Sequence, residues 1–212
     1  MNFGDVILSF LPRFALGLSV NFSIALSALA LGLMLGLPLA AARRGPRWLA
    51  SPAGAVLGLL RAAPTFVLIF FLLNAVPGPW TIGPWTGSIT PWASVVIALG
   101  CYATAYVCDN TIEALAQRQQ GHGGAMGLLV TSLVRALFVM VLSSGFAATV
   151  GVGEAVSATM RTLERLPALS DKLLLVALVM TLMTVTFQLI YALVGRVRDG
   201  LQRRAPTIDA GR

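Results

Sequence analysis

Few side chains in this sequence could do chemistry, and they stand at the margins of long apolar runs. Arg61 and Asp109 are opposite charges near the ends of two such runs. A lone charge at that depth is expensive and is usually paired. Asp109 also falls toward the C-terminal end of its predicted helix, where the dipole disfavours an anion and a nearby cation helps. The two are therefore expected as partners, with snorkelling of Arg61 to lipid headgroups as the alternative. His122 is the only histidine and sits among glycines without Cys, Asp or Glu neighbours. It reads as a loop residue, not a metal ligand or a catalyst. Cys101 and Cys108, seven residues apart in an apolar run, read as buried free thiols with no metal site or disulfide. Thr181, Thr184, Thr186 and Gln188 suit hydrogen bonds between helices better than a substrate site. The sequence contains no nucleophile elbow and no G-x-x-x-x-G-K phosphate loop, so it is read as non-catalytic and unable to hydrolyse ATP by itself.

The elements that must position these residues are membrane spans. From Ala62 to Cys108 the chain runs 47 residues without a formal charge. Its middle, AVPGPWTIGPWTGSITPW, is rich in Pro, Gly and Trp, and both flanks are apolar. Lipid offers the backbone no hydrogen-bond partners, so such flanks must be helices. Hydrophobic residues make up 57% and charged residues 11% of the chain, against about 25% charged in soluble domains, and mean hydropathy is +0.84. The reading is one all-α integral membrane domain over 1–212. The net charge of +7 comes from arginines clustered beside apolar runs without interleaved aromatics, which fits membrane lipid and not nucleic acid.

Runs of about 20 apolar residues predict five transmembrane helices at about 14–42, 53–76, 91–110, 128–150 and 173–195. The first is long enough to need tilt or a bend near Pro38. Its Ala28, Gly32 and Gly36 recur every fourth position, a spacing that lets helices approach closely. The residues before it are expected along the membrane surface. Arg43, Arg44 and Arg47 follow the first span, and Arg196, Arg198, Arg203, Arg204 and Arg212 follow the fifth. Positive-inside logic then predicts N-out, C-in, with Trp80, Trp85 and Trp92 at the outer interface. Between spans three and four, residues of about 111–127 are polar and carry glycines at 121, 123, 124 and 127. A cytoplasmic helix-turn-helix that touches a partner, or a plain loop, would suit them equally.

Four segments, in order, resemble the permease subunit of bacterial ABC importers, in the polar amino acid branch. NFSIALSALALGLMLGLPLAAARR (Asn21 to Arg44) is similar to the family's first conserved span. LLRAAPTFVLIFF (Leu59 to Phe71) resembles its Phe-Arg-Gly-Thr-Pro segment, with Arg61 and Pro64 on matching positions. ATAYVCDNTIEAL (Ala103 to Leu115) resembles its Ala-Ala-Tyr-x-x-Glu segment, Asp109 replacing the glutamate. GHGGAMGL (Gly121 to Leu128) occupies the place of the EAA loop, with Gly127 on the loop's later glycine and Arg135 on a frequent arginine. The resemblance covers about residues 15–200.

The resemblance implies that this loop is a coupling helix gripped by a cytoplasmic ABC ATPase dimer, which binds the ATP and Mg. It also implies a second permease subunit and an extracytoplasmic solute-binding protein, in a bacterial inner membrane. Gly121, His122 and Gly123 replace the family's Glu-Ala-Ala. Each interior glycine costs roughly 1 kcal/mol against alanine, so the resemblance points to a degenerate loop and to a non-identical partner carrying an intact one. Glu154 matches a recurring Gly-x-x-Glu, which implies a gate or a contact with the binding protein; an ordinary surface charge is the alternative. The function expected is that of a transmembrane subunit of an ATP-driven importer for amino acids or similar small polar solutes. The alternative is a secondary transporter or channel subunit.

Overall fold

The computed structural model describes residues 3–75, 79–82, 85–121 and 125–204. Contacts divide the chain into two units, Met1–Thr162 and Leu163–Arg212.

In the first unit α1 runs unbroken from Phe3 to Arg43. At 1.5 Å per residue that is roughly 60 Å, about twice the hydrocarbon thickness of a bilayer. Residues 3–13, expected along the membrane surface, are instead the first turns of this helix. Packing carries it through Pro12: Val6, Phe10, Phe14, Gly17, Asn21, Ile24, Ala28, Gly32, Gly36 and Ala40 form one buried stripe at steps of three and four.

The later part of the stripe, at Gly32 and Gly36, faces α4, Pro91–Gln119. A Cβ built on Gly100 would meet Leu31, one on Gly32 would meet Ala103, and one on Gly36 would meet Thr104 and Val107. Both numberings rise together, so α1 and α4 are parallel. Two parallel crossings need a return crossing between them, and among the described residues α2 (Arg47–Ala62) and α3 (Thr65–Ala75) supply it. These two are bent by 94° at their junction. The single span expected at 53–76 is thus a broken one. Its cause is Pro64, which lacks an N–H and forces the residue before it out of the helical region. Ala63 accordingly sits at φ −74°, ψ 112°.

The loop that follows holds a small hairpin, an addition to the all-α expectation. Strand β1 (Trp80–Ile82) pairs antiparallel with β2 (Trp85–Gly87), Thr81 opposite Thr86. Thr90 then caps α4, its hydroxyl accepting from Ala93 N at 3.1 Å. The third span, expected to end at 110, continues as helix to Gln119.

The fourth span is α5, Ala125–Ser143, which tightens into a 3₁₀ segment over Ser144–Val150 and stops at Gly151, φ +86°. The expected helix over 128–150 therefore keeps its place but not its geometry to the end. Ser144 lies beside Asn21 on α1, so α5 runs back toward the Phe3 end. Helix α6, Ala155–Leu163, closes the unit.

The second unit is α7, Leu169–Arg204. Its stretch Leu169–Arg196 has a mean hydropathy of 2.4 and the length of a span. Its threonines do not behave as expected. The Thr181, Thr184 and Thr186 hydroxyls donate to Ala177, Met180 and Leu182 carbonyls of their own helix, each at 2.8 Å. Among the described residues four helices are long and apolar enough to cross a membrane, and the bent pair, counted as one span, makes five.

Candidate functional site

The break in the second span opens a groove. Arg61 lies in the last turn of α2, and α3 restarts at Thr65, so two helix ends meet there. Each end carries backbone groups without helical partners, positive at the start of α3 and negative at the end of α2. Helix α4 supplies the facing wall. Tyr102, Ala105, Tyr106 and Asp109 project on one face through steps of three and four. With Leu60, Ala63, Pro64 and Thr65 they enclose about 450 Å³. The Arg61 guanidinium donates to Asp109 Oδ1. Their side chains stay 53% and 42% exposed, so the pair is open to a solute entering the groove. The Tyr102 and Tyr106 rings lie 6.0 Å apart alongside. Behind this wall Ala40, Leu57, Ala105 and Cys108 form a buried apolar cluster. Cys101 and Cys108 are both free.

A second polar centre lies toward the Phe3 end and joins α1, α5 and α6. Glu154 is 1% exposed; the surface-charge alternative is overturned. Its carboxylate caps α6, accepting from Val156 N and Ser157 N at 2.8 Å each, while Ser157 Oγ accepts from Glu154 N at 2.9 Å. Asn21, 1% exposed, completes the set. Its amide donates to Glu154 Oε2 at 2.9 Å and to Ser144 Oγ at 2.7 Å, and its carbonyl accepts from Ala155 N at 3.0 Å. Gly17 permits this approach, since a Cβ there would lie 2.5 Å from Ala155 N. Sequence reasoning passed over Asn21, although an amide between apolar neighbours in a span was a signal.

At the opposite end, the stretch that suited an inserted helix-turn-helix or a plain loop belongs, where it is described, to the end of α4 and the start of α5. Gly121 ends α4 at φ +85°, a left-handed conformation that favours glycine. His122 and Gly123 lie outside the described residues. Gly127 is in the first turn of α5, where its carbonyl accepts from Thr131 Oγ1 at 2.9 Å. Arg135 is exposed two turns further along α5 and is not grouped with Gly121. A smaller pocket of about 190 Å³ lies between the two helices, lined by Asn110, Glu113, Gln117, Leu128 and Ser132 among others. Among the described residues, Arg61, Pro64 and Asp109 are brought together, and Glu154 stands apart from them in its own cluster.

No family model matches the chain. A stretch is 37% identical over 94 residues to "Ammonium transporter 1" of Schizosaccharomyces pombe, covering 40% of this chain and 18% of that one. The chain thus spans under a fifth of that curated relative. Among solved structures, an amino acid ABC transporter crystallised with histidines superposes over 92% of this chain and 98% of its own, at a TM-score of 0.66 and 19% identity. The fold of this chain is therefore the all-α, multi-span membrane fold which that transporter carries.

Proposed function

We propose that the chain is a transmembrane subunit of an ATP-driven importer for amino acids or similar small polar solutes, forming half of the pathway. The observation that carries this reading is the match in fold over nearly the whole of both chains, together with a solvent-reachable charged groove at a helix break. Discontinuous spans are where transporters commonly place solute and ion sites. The end of α1 that carries Arg43 and Arg44 then faces the cytoplasm. Because α4 is parallel to α1, its Gln119 end and the turn at Gly121 face the cytoplasm too.

That turn is the surface where a separate ATPase dimer would dock, through Gly121, His122, Gly123 and Gly127, with Arg135 nearby on α5. Nucleotide closure would bias the pair of permeases between two packings. The glycine-rich turn favours pairing with a non-identical permease whose loop is intact, and an extracytoplasmic binding protein would deliver the solute at the hairpin side. The test is affinity purification of the tagged chain from its own membrane in mild detergent. An ABC ATPase that co-purifies, and is lost when 120–125 is replaced by a Gly-Ser linker, supports the reading; a chain that purifies without one refutes it. The ammonium transporter match supports a second reading, a secondary transporter or channel subunit not driven by an ATPase, but it leaves most of both chains unaligned.

A further inference from the structure

We propose that the groove at the broken span is a binding site for a zwitterion, an α-amino acid whose carboxylate displaces Asp109 from Arg61 while its ammonium group displaces Arg61 from Asp109. This rests on the importer reading for its substrate class and on the groove for its chemistry.

Three observations carry it. The two charges are in contact with each other, yet each keeps about half of its side chain exposed to the groove. The space, about 450 Å³, lies within the range of small-molecule sites, roughly 300–1,000 Å³. The walls beside the charges offer Thr65, Tyr102 and Tyr106, hydroxyls and ring faces suited to a small polar or aliphatic side chain. Pair exchange explains why a zwitterion is preferred. A ligand bearing both charges leaves neither Arg61 nor Asp109 without a counter-charge. A ligand bearing one charge breaks the Arg61–Asp109 contact and replaces only half of it, and that difference is the source of discrimination.

The experiment uses the full chain in detergent. The standard amino acids are screened by thermal stabilisation. The best one is then compared, by equilibrium dialysis, with its methyl ester, which lacks the carboxylate, and its N-acetyl derivative, which lacks the ammonium. The expected result is at least tenfold weaker binding of both derivatives. Arg61→Ala should invert the order in favour of the methyl ester, and Asp109→Ala in favour of the N-acetyl derivative. The double variant Arg61→Asp, Asp109→Arg, which keeps a pair, should retain zwitterion preference and controls for misfolding. Equal binding of the three compounds, equal loss of all three in both single variants, or no stabilisation by any amino acid overturns the proposal. Continued co-purification of the ATPase alongside such a result would leave the importer reading standing and remove only the groove assignment.

Discussion

A Cβ placed on Gly32 would lie 2.5 Å from the Cβ of Ala103 and 2.8 Å from its carbonyl carbon. This contact sets the distance between two parallel helices, and the chain between them must therefore cross back. Gly32→Ala should push α1 from α4 and destabilise the protein by about 1–3 kcal/mol. Gly58→Ala is the matched control, because nothing lies within 4 Å of a Cβ there. It should gain up to roughly 1 kcal/mol from helix propensity alone. Thermal unfolding in detergent compares the two; equal shifts would show that α1 and α4 are not in close contact.

The clasp of Asn21 and Glu154 predicts a coupled loss. Glu154→Gln replaces one acceptor oxygen with a donor facing backbone N–H groups, and should cost about 1–3 kcal/mol. Asn21→Ala removes one donor from Glu154 Oε2 and the acceptor of Ala155 N and should cost a similar amount. Because they share one network, the double variant should fall short of the sum by about 0.5–3 kcal/mol. Strict additivity in a double-mutant cycle would contradict the clasp.

Pro64 predicts a change of shape. With Pro64→Ala the restriction on Ala63 is lifted, and α2 and α3 can join as one straight helix. Spin labels at Trp48 and Asn74, both exposed, should then move apart by about 10 Å, given a rise of 1.5 Å per residue in two arms now bent by 94°. Unchanged pulsed-EPR distances would mean that tertiary packing, and not the proline, holds the bend.

Arg61 and Asp109 predict charge complementation in transport. Either residue changed to Ala should lower solute uptake at least tenfold, and exchanging the two charges should recover much of it. Failure of the exchanged pair to recover uptake would argue that each residue acts alone.

The membrane class was legible because the 47-residue uncharged stretch from Ala62 to Cys108 has no other use. Ala28, Gly32 and Gly36 likewise announced a close helix contact through their spacing, and the expense of an isolated charge foretold that Arg61 would seek Asp109. Other features were written in less local terms. The length of an apolar run does not say whether a proline inside it is tolerated or breaks it: α1 runs through Pro12 and Pro38, whereas Pro64 ends α2. Glu154 left a surface charge open beside a gate or a binding-protein contact, because its partner, Asn21, lies 133 positions away. Residues 3–13 looked too short to span and were expected along the membrane surface, because their helix is completed by the span that follows. The polar stretch past Asn110 suited a separate insert or a plain loop equally, whereas as far as Gln119 it lengthens α4.

Reconstituted transport tests the central claim most directly. Vesicles carrying this chain, its partner permease and the co-purifying ATPase, with binding protein outside and ATP inside, should accumulate a labelled amino acid against its gradient. Accumulation should stop when the ATPase loses its catalytic carboxylate. Solute passage at an unchanged rate without ATP or without the ATPase would contradict the account and point to a channel.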